Sequence, residues 1–164
     1  MNTTYLIKNV SILGGDPTDL LLEGGVIKQI GSGLTADGAE VIDATGMIAL
    51  PGLVDLHTHL REPGREDAET VASGTSAAAL GGFTAVHAMA NTDPVADTAG
   101  VVEQVWRLGR RSGWVDVRPV GAVTVGLGGE RLAELGAMAD SAARVSVFSD
   151  DGMCVHDAVL MRRA

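Results

Sequence analysis

The sequence predicts an α/β protein: a strand-rich module over residues 1–50, then the first half of a (β/α)8 barrel over residues 51–164. Three observations predict it. Up to Leu50, short apolar segments alternate with glycine-rich turns and leave little room for a helix. After Pro51-Gly52, apolar runs of strand length alternate with helical stretches, the pattern of parallel strands joined by right-handed crossovers. The first of those strands runs into histidines, where a doubly wound open sheet would carry a glycine-rich phosphate loop, and this favours barrel closure.

The first module reads as Tyr5-Leu6-Ile7, Val10 to Leu13, Asp19 to Leu22, Val26 to Ile30 and Val41-Ile42-Asp43, a small antiparallel sheet. Its turns are Gly14-Gly15-Asp16-Pro17, Glu23-Gly24-Gly25, Gly31-Ser32-Gly33 and Thr45-Gly46. In the second part, Leu53 to His57 reads as a buried strand and Glu69 to Leu80 as an Ala-rich helix stopped by Gly81-Gly82. Phe83 to Met89 is the next strand, and Thr98 is a plausible N-cap for a helix running to about Ser112. Val115 to Val120 reads as the third strand, Leu132 to Met138 as a short helix, and Val145 to Phe148 as the fourth strand. A last helix begins near Asp157, and its pattern has no stop signal before Ala164, so the chain reads as four βα units of an incomplete barrel. A complete barrel takes about 250 residues, against 164 here, and half of one leaves apolar strand faces and sheet edges uncovered.

Composition narrows the function classes. Hydrophobic residues make up 46%, enough for a packed core and against disorder. A formal net charge of −9 and only 3% aromatics argue against nucleic-acid binding, which needs clustered cations and stacking surfaces. No apolar run approaches the roughly 18 residues of a membrane span, and no secretory leader opens the chain, so a cytoplasmic location is expected. Cys154 is the only cysteine, which rules out an intrachain disulfide and favours a small buried hydrophobe over a nucleophile.

The strongest chemical signal is His57-Thr58-His59 at the end of the first barrel strand. Residues i and i+2 of a strand project to one face, so two imidazoles converge at the rim where barrel active sites lie. Imidazole suits zinc and its neighbours, which favours a metal site over two ordinary surface histidines. Arg61 follows and can clamp a carboxylate in a bidentate fork, or simply pair with Glu62 or Glu66 in the loop. Asn91 follows the second strand and reads as a polar ligand contact or as a turn residue before Asp93-Pro94. Phe148-Ser149-Asp150-Asp151-Gly152 puts two carboxylates at the fourth strand end; one can bridge metals, or the pair can be a turn and cap. His87 and His156 receive no role.

In order and spacing these stretches resemble the dihydroorotases of the amidohydrolase superfamily. The resemblance rests on Pro51 to Gly64, Glu69-Thr70 with Gly74, Gly81 to Thr84, Met89-Ala90-Asn91-Thr92 and Phe148 to Gly152. It implies an amidohydrolase barrel preceded by part of a small β-sandwich. It also implies His57 and His59 as zinc ligands, Asp151 as the bridging carboxylate of the bacterial class, and Arg61 and Asn91 as contacts to the substrate carboxylate. In the families the chain resembles, hydantoinases, allantoinases and other dihydroorotases bridge their metals with a carboxylated lysine from the end of the fourth strand. The lysines here are Lys8 and Lys28, so the aspartate-bridged class fits better. Ala90 departs from the proline many relatives carry.

One or two Zn2+ ions are implied, with dihydroorotate and N-carbamoyl-L-aspartate as small-molecule substrates and a step of pyrimidine biosynthesis as the setting. A homodimer or a transcarbamoylase partner is possible. The family's further histidine ligands come from later strands, and its general-base aspartate is expected beyond Ala164. The chain alone is therefore expected to carry no catalytic base and to be inactive. The alternatives are an allantoinase- or hydantoinase-type hydrolase, and a non-catalytic dihydroorotase-like subunit.

Overall fold

A computed structural model describes residues 3–164. The chain divides into two compact units, Met1–Pro51 and Gly52–Ala164.

The first unit is one sheet of β1 (Tyr5–Ile12), β2 (Pro17–Glu23), β3 (Val26–Gly31), β4 (Glu40–Asp43) and β5 (Ile48–Ala49). Its order is β3-β2-β1-β4, with β5 also paired to β1. The segments read separately as Tyr5-Leu6-Ile7 and Val10 to Leu13 form one strand with an irregularity between Ile7 and Val10, where Asn9 takes φ 60°. The expected antiparallel sheet is mixed: β2 and β3 pair antiparallel, but β4 and β5 run parallel to β1. Residues 32–39 carry the chain from the end of β3 to the start of β4 on the far side of β1, so they form a crossover rather than a hairpin.

Val10, Leu20 and Ala44 are the core of this unit. Beside them Asp19 is buried and saturated by donors: Lys8 Nζ at 2.5 Å, the Asn9 amide at 3.1 Å and the Leu34 amide at 3.0 Å. The Leu34 bond ties the crossover to the sheet. The Lys8 hydrogen bond, with the two amides, lowers the Asp19 pKa from 3.8 to about 2.

The second unit contains β6 (Leu53–Thr58), α1 (Val71–Leu80), β7 (Phe83–Ala88), α2 (Ala99–Ser112), β8 (Asp116–Pro119), a 3-10 turn at Val125–Leu127, α3 (Leu135–Asp140) and α4 (Ala158–Arg163). The strands β6-β7-β8 are all parallel. Helix α1 starts after Thr70, not at Glu69, because Thr70 and Ser73 form a reciprocal capping box and the Glu62 carboxylate accepts the Val71 amide at 2.7 Å. Thr98 occupies the N-cap of α2 without a side-chain cap bond, and Gly113 closes that helix at φ 70°. Asp157 caps α4 by accepting the Val159 and Leu160 amides. Val102, Val105 and Gly109, at helical spacing, form the buried stripe of α2.

Two expectations need correction. The run Val145 to Phe148 does not join the ladder as a fourth strand; it touches it through a single parallel bridge between Gly121 and Phe148. The Val120 amide donates to Ala88 on β7 and the Gly121 amide to Val147, so amide direction alternates along this edge. Pro119 falls where a donor toward Val145–Phe148 is needed and has no N–H, and Arg144 enters the run at φ 50°. Strand β6, read as buried, is open: Leu53, Val54 and Leu56 are 51%, 53% and 67% exposed. Helix α1 packs on β7 and α2 on β8, and among the described residues β6 has a strand neighbour on one side only.

Two outcomes follow from this packing. A Cβ on Gly109 would stand 2.4 Å from Val117 Cβ, so Gly109→Ala destabilises the unit despite the better helix propensity of alanine. Overpacking of about 1–3 kcal/mol outweighs the roughly 1 kcal/mol of propensity, and a denaturant midpoint at or above wild type would contradict this. The Asp19 contribution to stability is complete above its unfolded pKa of 3.8 and is lost as pH falls toward about 2. Asp19→Asn should flatten the acid limb of an unfolding series in that window, and an unchanged limb would exclude the linkage.

Candidate metal centre

The site grows from the two-residue period of β6. Leu60 is buried in the cluster with Val86, Ala88 and Val117, between the sheet and its helices. His57, near the end of β6, and His59, just past it, both project toward Asp151 off the carboxyl end of the strand. The Asp55 carboxylate accepts the His57 amide at 2.9 Å and holds the strand end in place.

Three side chains meet there. His57 Nε2 lies 3.0 Å from Asp151 Oδ1, and His59 Nε2 lies 3.7 Å from Asp151 Oδ2. The two rings stand edge to face with centroids 5.1 Å apart. One ligand atom from each of His57, His59 and Asp151 falls within 4.8 Å of the other two, the one such group among the described residues. Ligand atoms held about 2.0–2.1 Å from one tetrahedral cation sit about 3.3 Å apart. The observed 3.0 and 3.7 Å, each to a different Asp151 oxygen, lie near that spacing. The donor set of two imidazoles and a carboxylate suits a first-row divalent cation.

Asn91 joins two of these groups. Asp151 accepts from Asn91 Nδ2 at 2.8 Å, and Asn91 Oδ1 lies 3.0 Å from His59 Nδ1. An ionised carboxylate only accepts, which fixes the amide with its nitrogen toward Asp151. The oxygen then faces His59, which must carry its proton on Nδ1. That leaves the Nε2 lone pair aimed toward Asp151, the arrangement metal-binding histidines adopt.

The adjacent carboxylates are divided between two tasks. Asp151, at φ 37°, points to the histidines, whereas Asp150 is buried and accepts from the Val123 amide at 2.8 Å, the Thr124 amide at 3.0 Å and the Thr124 hydroxyl. Arg61 stands in the left-handed region at φ 57°. It forms no ion pair with either loop carboxylate among the described residues: Glu62 caps α1, and Glu66 accepts the Gly64 amide at 3.0 Å.

The loops after β6 and β7 are joined where Gly64, at φ 106°, lies against Asp93: a Cβ there would come 2.3 Å from the Asp93 carbonyl oxygen. Among the remaining candidates, His87 lies in β7 with a buried, unpartnered Nδ1, and His156 is exposed. Cys154, expected to be a small buried hydrophobe, is exposed as well. Sequence reasoning missed the α1 cap of Glu62, the Asn91 bridge and the burial of Asp150; a glutamate ahead of a capping box was the one local hint.

The described residues form a parallel βα array with metal-type ligands gathered past the carboxyl ends of its strands, an arrangement that fits the class of metal-dependent amidohydrolases. A family model described as dihydro-orotase-like matches residues 46–164, and by that match the chain belongs to the dihydro-orotase-like family. Dihydroorotases of Streptomyces coelicolor and Mycobacterium tuberculosis are 69% and 60% identical to the chain over 97% and 98% of its length. The chain spans 37% and 38% of those two relatives.

Among solved structures, the L-hydantoinase (dihydropyrimidinase) from Arthrobacter aurescens matches 77% of this chain and 29% of its own, with TM-score 0.65 and 23% identity. A D-hydantoinase (dihydropyrimidinase) from Thermus sp. matches 73% of this chain and 28% of its own, with TM-score 0.55 and 30% identity. A dihydroorotase structure matches 76% of this chain and 32% of its own, with TM-score 0.51 and 20% identity.

The Asn91 bridge has a direct readout. Long-range proton–nitrogen NMR on the metal-free chain should find the His59 proton on Nδ1. In Asn91→Ala it should move to Nε2, where the Asp151 carboxylate is the remaining acceptor. A wild-type proton on Nε2 would refute this orientation of the Asn91 amide.

Proposed function

We propose that this sequence supplies the zinc half-site and part of the substrate site of a dihydroorotase, which interconverts dihydroorotate and N-carbamoyl-L-aspartate in pyrimidine synthesis. The convergence of both imidazole Nε2 atoms on Asp151 is the observation that carries the reading. In it, His57 and His59 hold the ion and Asp151 shares its carboxylate with it. Bound there, zinc supplies Lewis acidity, bringing the pKa of water toward about 7 and polarising an amide carbonyl.

The chain's own residues do the rest of what this part can do. Asn91 holds the His59 proton on the side away from the ligands, and its second N–H is free for a substrate oxygen. Arg61, which follows the ligand strand and has neither Glu62 nor Glu66 as a partner, is available to fork onto the carboxylate of an acidic ring. That carboxylate separates dihydroorotate from simple hydantoins. The hydantoinase alternative expects a lysine from the fourth-strand segment, and residues 145–152 contain none. A non-catalytic subunit has no need of an intact ligand set.

Proton transfer is the task these residues leave open. Asp151 is engaged with the histidines and Asn91, and Asp150 is saturated by backbone and hydroxyl donors. A missing general base costs about 10²–10⁴-fold in rate. Dialysed against zinc, the 164-residue chain should therefore retain metal, His57→Ala and His59→Ala should lose most of it, and ring opening should stay at least about 10²-fold below that of the Streptomyces coelicolor relative. Zinc content equal in wild type and a His57→Ala/His59→Ala double variant would overturn the proposal.

A further inference from the structure

We propose that Asp150 and Thr124 are positioning residues for the metal centre, forming a clamp that presents Asp151 to His57 and His59. The inference rests on the metal-site reading above and assigns a task to two side chains outside the ligand set.

Asp150 is only 4% exposed, and a buried carboxylate persists where donors compensate for its lost hydration. All of its compensation comes from one short stretch: the Val123 and Thr124 amides reach Oδ1, and the Thr124 hydroxyl reaches Oδ2. The same hydroxyl oxygen accepts the Gly129 amide at 2.9 Å, which draws the loop after Leu127 into the network. Both Asp150 oxygens are thus committed, and it has no part in the ligand group of His57, His59 and Asp151.

The next residue turns the other way. Asp151 takes φ 37°, a backbone state uncommon for a residue with a side chain, and its amide donates to Ser149 Oγ at 3.0 Å. Strand pairing reaches only as far as Ser149, whose amide donates to the Gly121 carbonyl at 2.9 Å. One residue before the ligand, the Asp150 carboxylate supplies the side-chain tie to the Val123–Thr124 stretch. Groups that orient a ligand without touching the ion commonly govern affinity as strongly as the ligands' own geometry.

The test uses Asp150→Ala, Asp150→Asn and Thr124→Val in the 164-residue chain, with Asp151→Ala as the reference for loss of the ligand itself. Cobalt(II) serves as the probe, read by its visible absorption, and amide exchange at Val123 and Thr124 reports the clamp. Asp150→Ala should weaken cobalt binding by about 10–100-fold, toward Asp151→Ala, and change the cobalt spectrum. Thr124→Val, which removes only the hydroxyl, should weaken it less, and Asp150→Asn, whose carbonyl still accepts both amides, should restore most of the affinity.

Unchanged cobalt affinity and spectrum in variants whose Val123 and Thr124 amides have lost protection would overturn the proposal. If Asp150→Ala does not fold, Thr124→Val decides by the same criterion. If wild type itself binds no cobalt, the metal reading fails, and the clamp is then judged on the metal-free chain by the Asn91 side-chain amide resonances. Their shift in Thr124→Val supports the clamp, and their persistence overturns it.

Discussion

The second unit depends on one constraint: the apolar side chains between its sheet and its helices must stay out of water. Leu60, Val86, Ala88 and Val117 are buried together against the helices. Leu60 follows His59 directly, so anchoring it there also anchors the chain that carries the two imidazoles. Shifting this segment by one residue would take Leu60 out of the cluster and both imidazoles away from Asp151. The apolar packing and the ligand set are therefore two aspects of a single register, and the chemistry inherits its accuracy from the core.

That linkage explains which features are legible in the sequence. Helix α2, with its stripe of Val102, Val105 and Gly109 and its glycine stop, is written in local periodicity, as are the strands β6, β7 and β8. The shared face of His57 and His59 follows from spacing alone. The division of labour between Asp150 and Asp151 does not, because it depends on Val123 and Thr124, which are remote in sequence. From the residues alone the two carboxylates are equivalent; the choice of Asp151 comes from the family resemblance.

The misreadings have the same origin. Val145 to Phe148 has strand composition, but whether it pairs depends on Pro119 and Gly121 across the ladder. In the first unit, turn chemistry marks where the chain bends but not the side of β1 to which residues 32–39 return it. Lys8 and Asp19 secure that return, and no local pattern couples them.

The three ligand side chains are unequally sheltered: His57 is 56% exposed, His59 30% and Asp151 12%. In this chain the centre thus has a front door and a back wall. On the metal-site reading, a cation arriving from solvent would meet His57 first and Asp151 last. A change at His57 would then act first on how a cation enters and leaves, and a change at Asp151 on how it is seated.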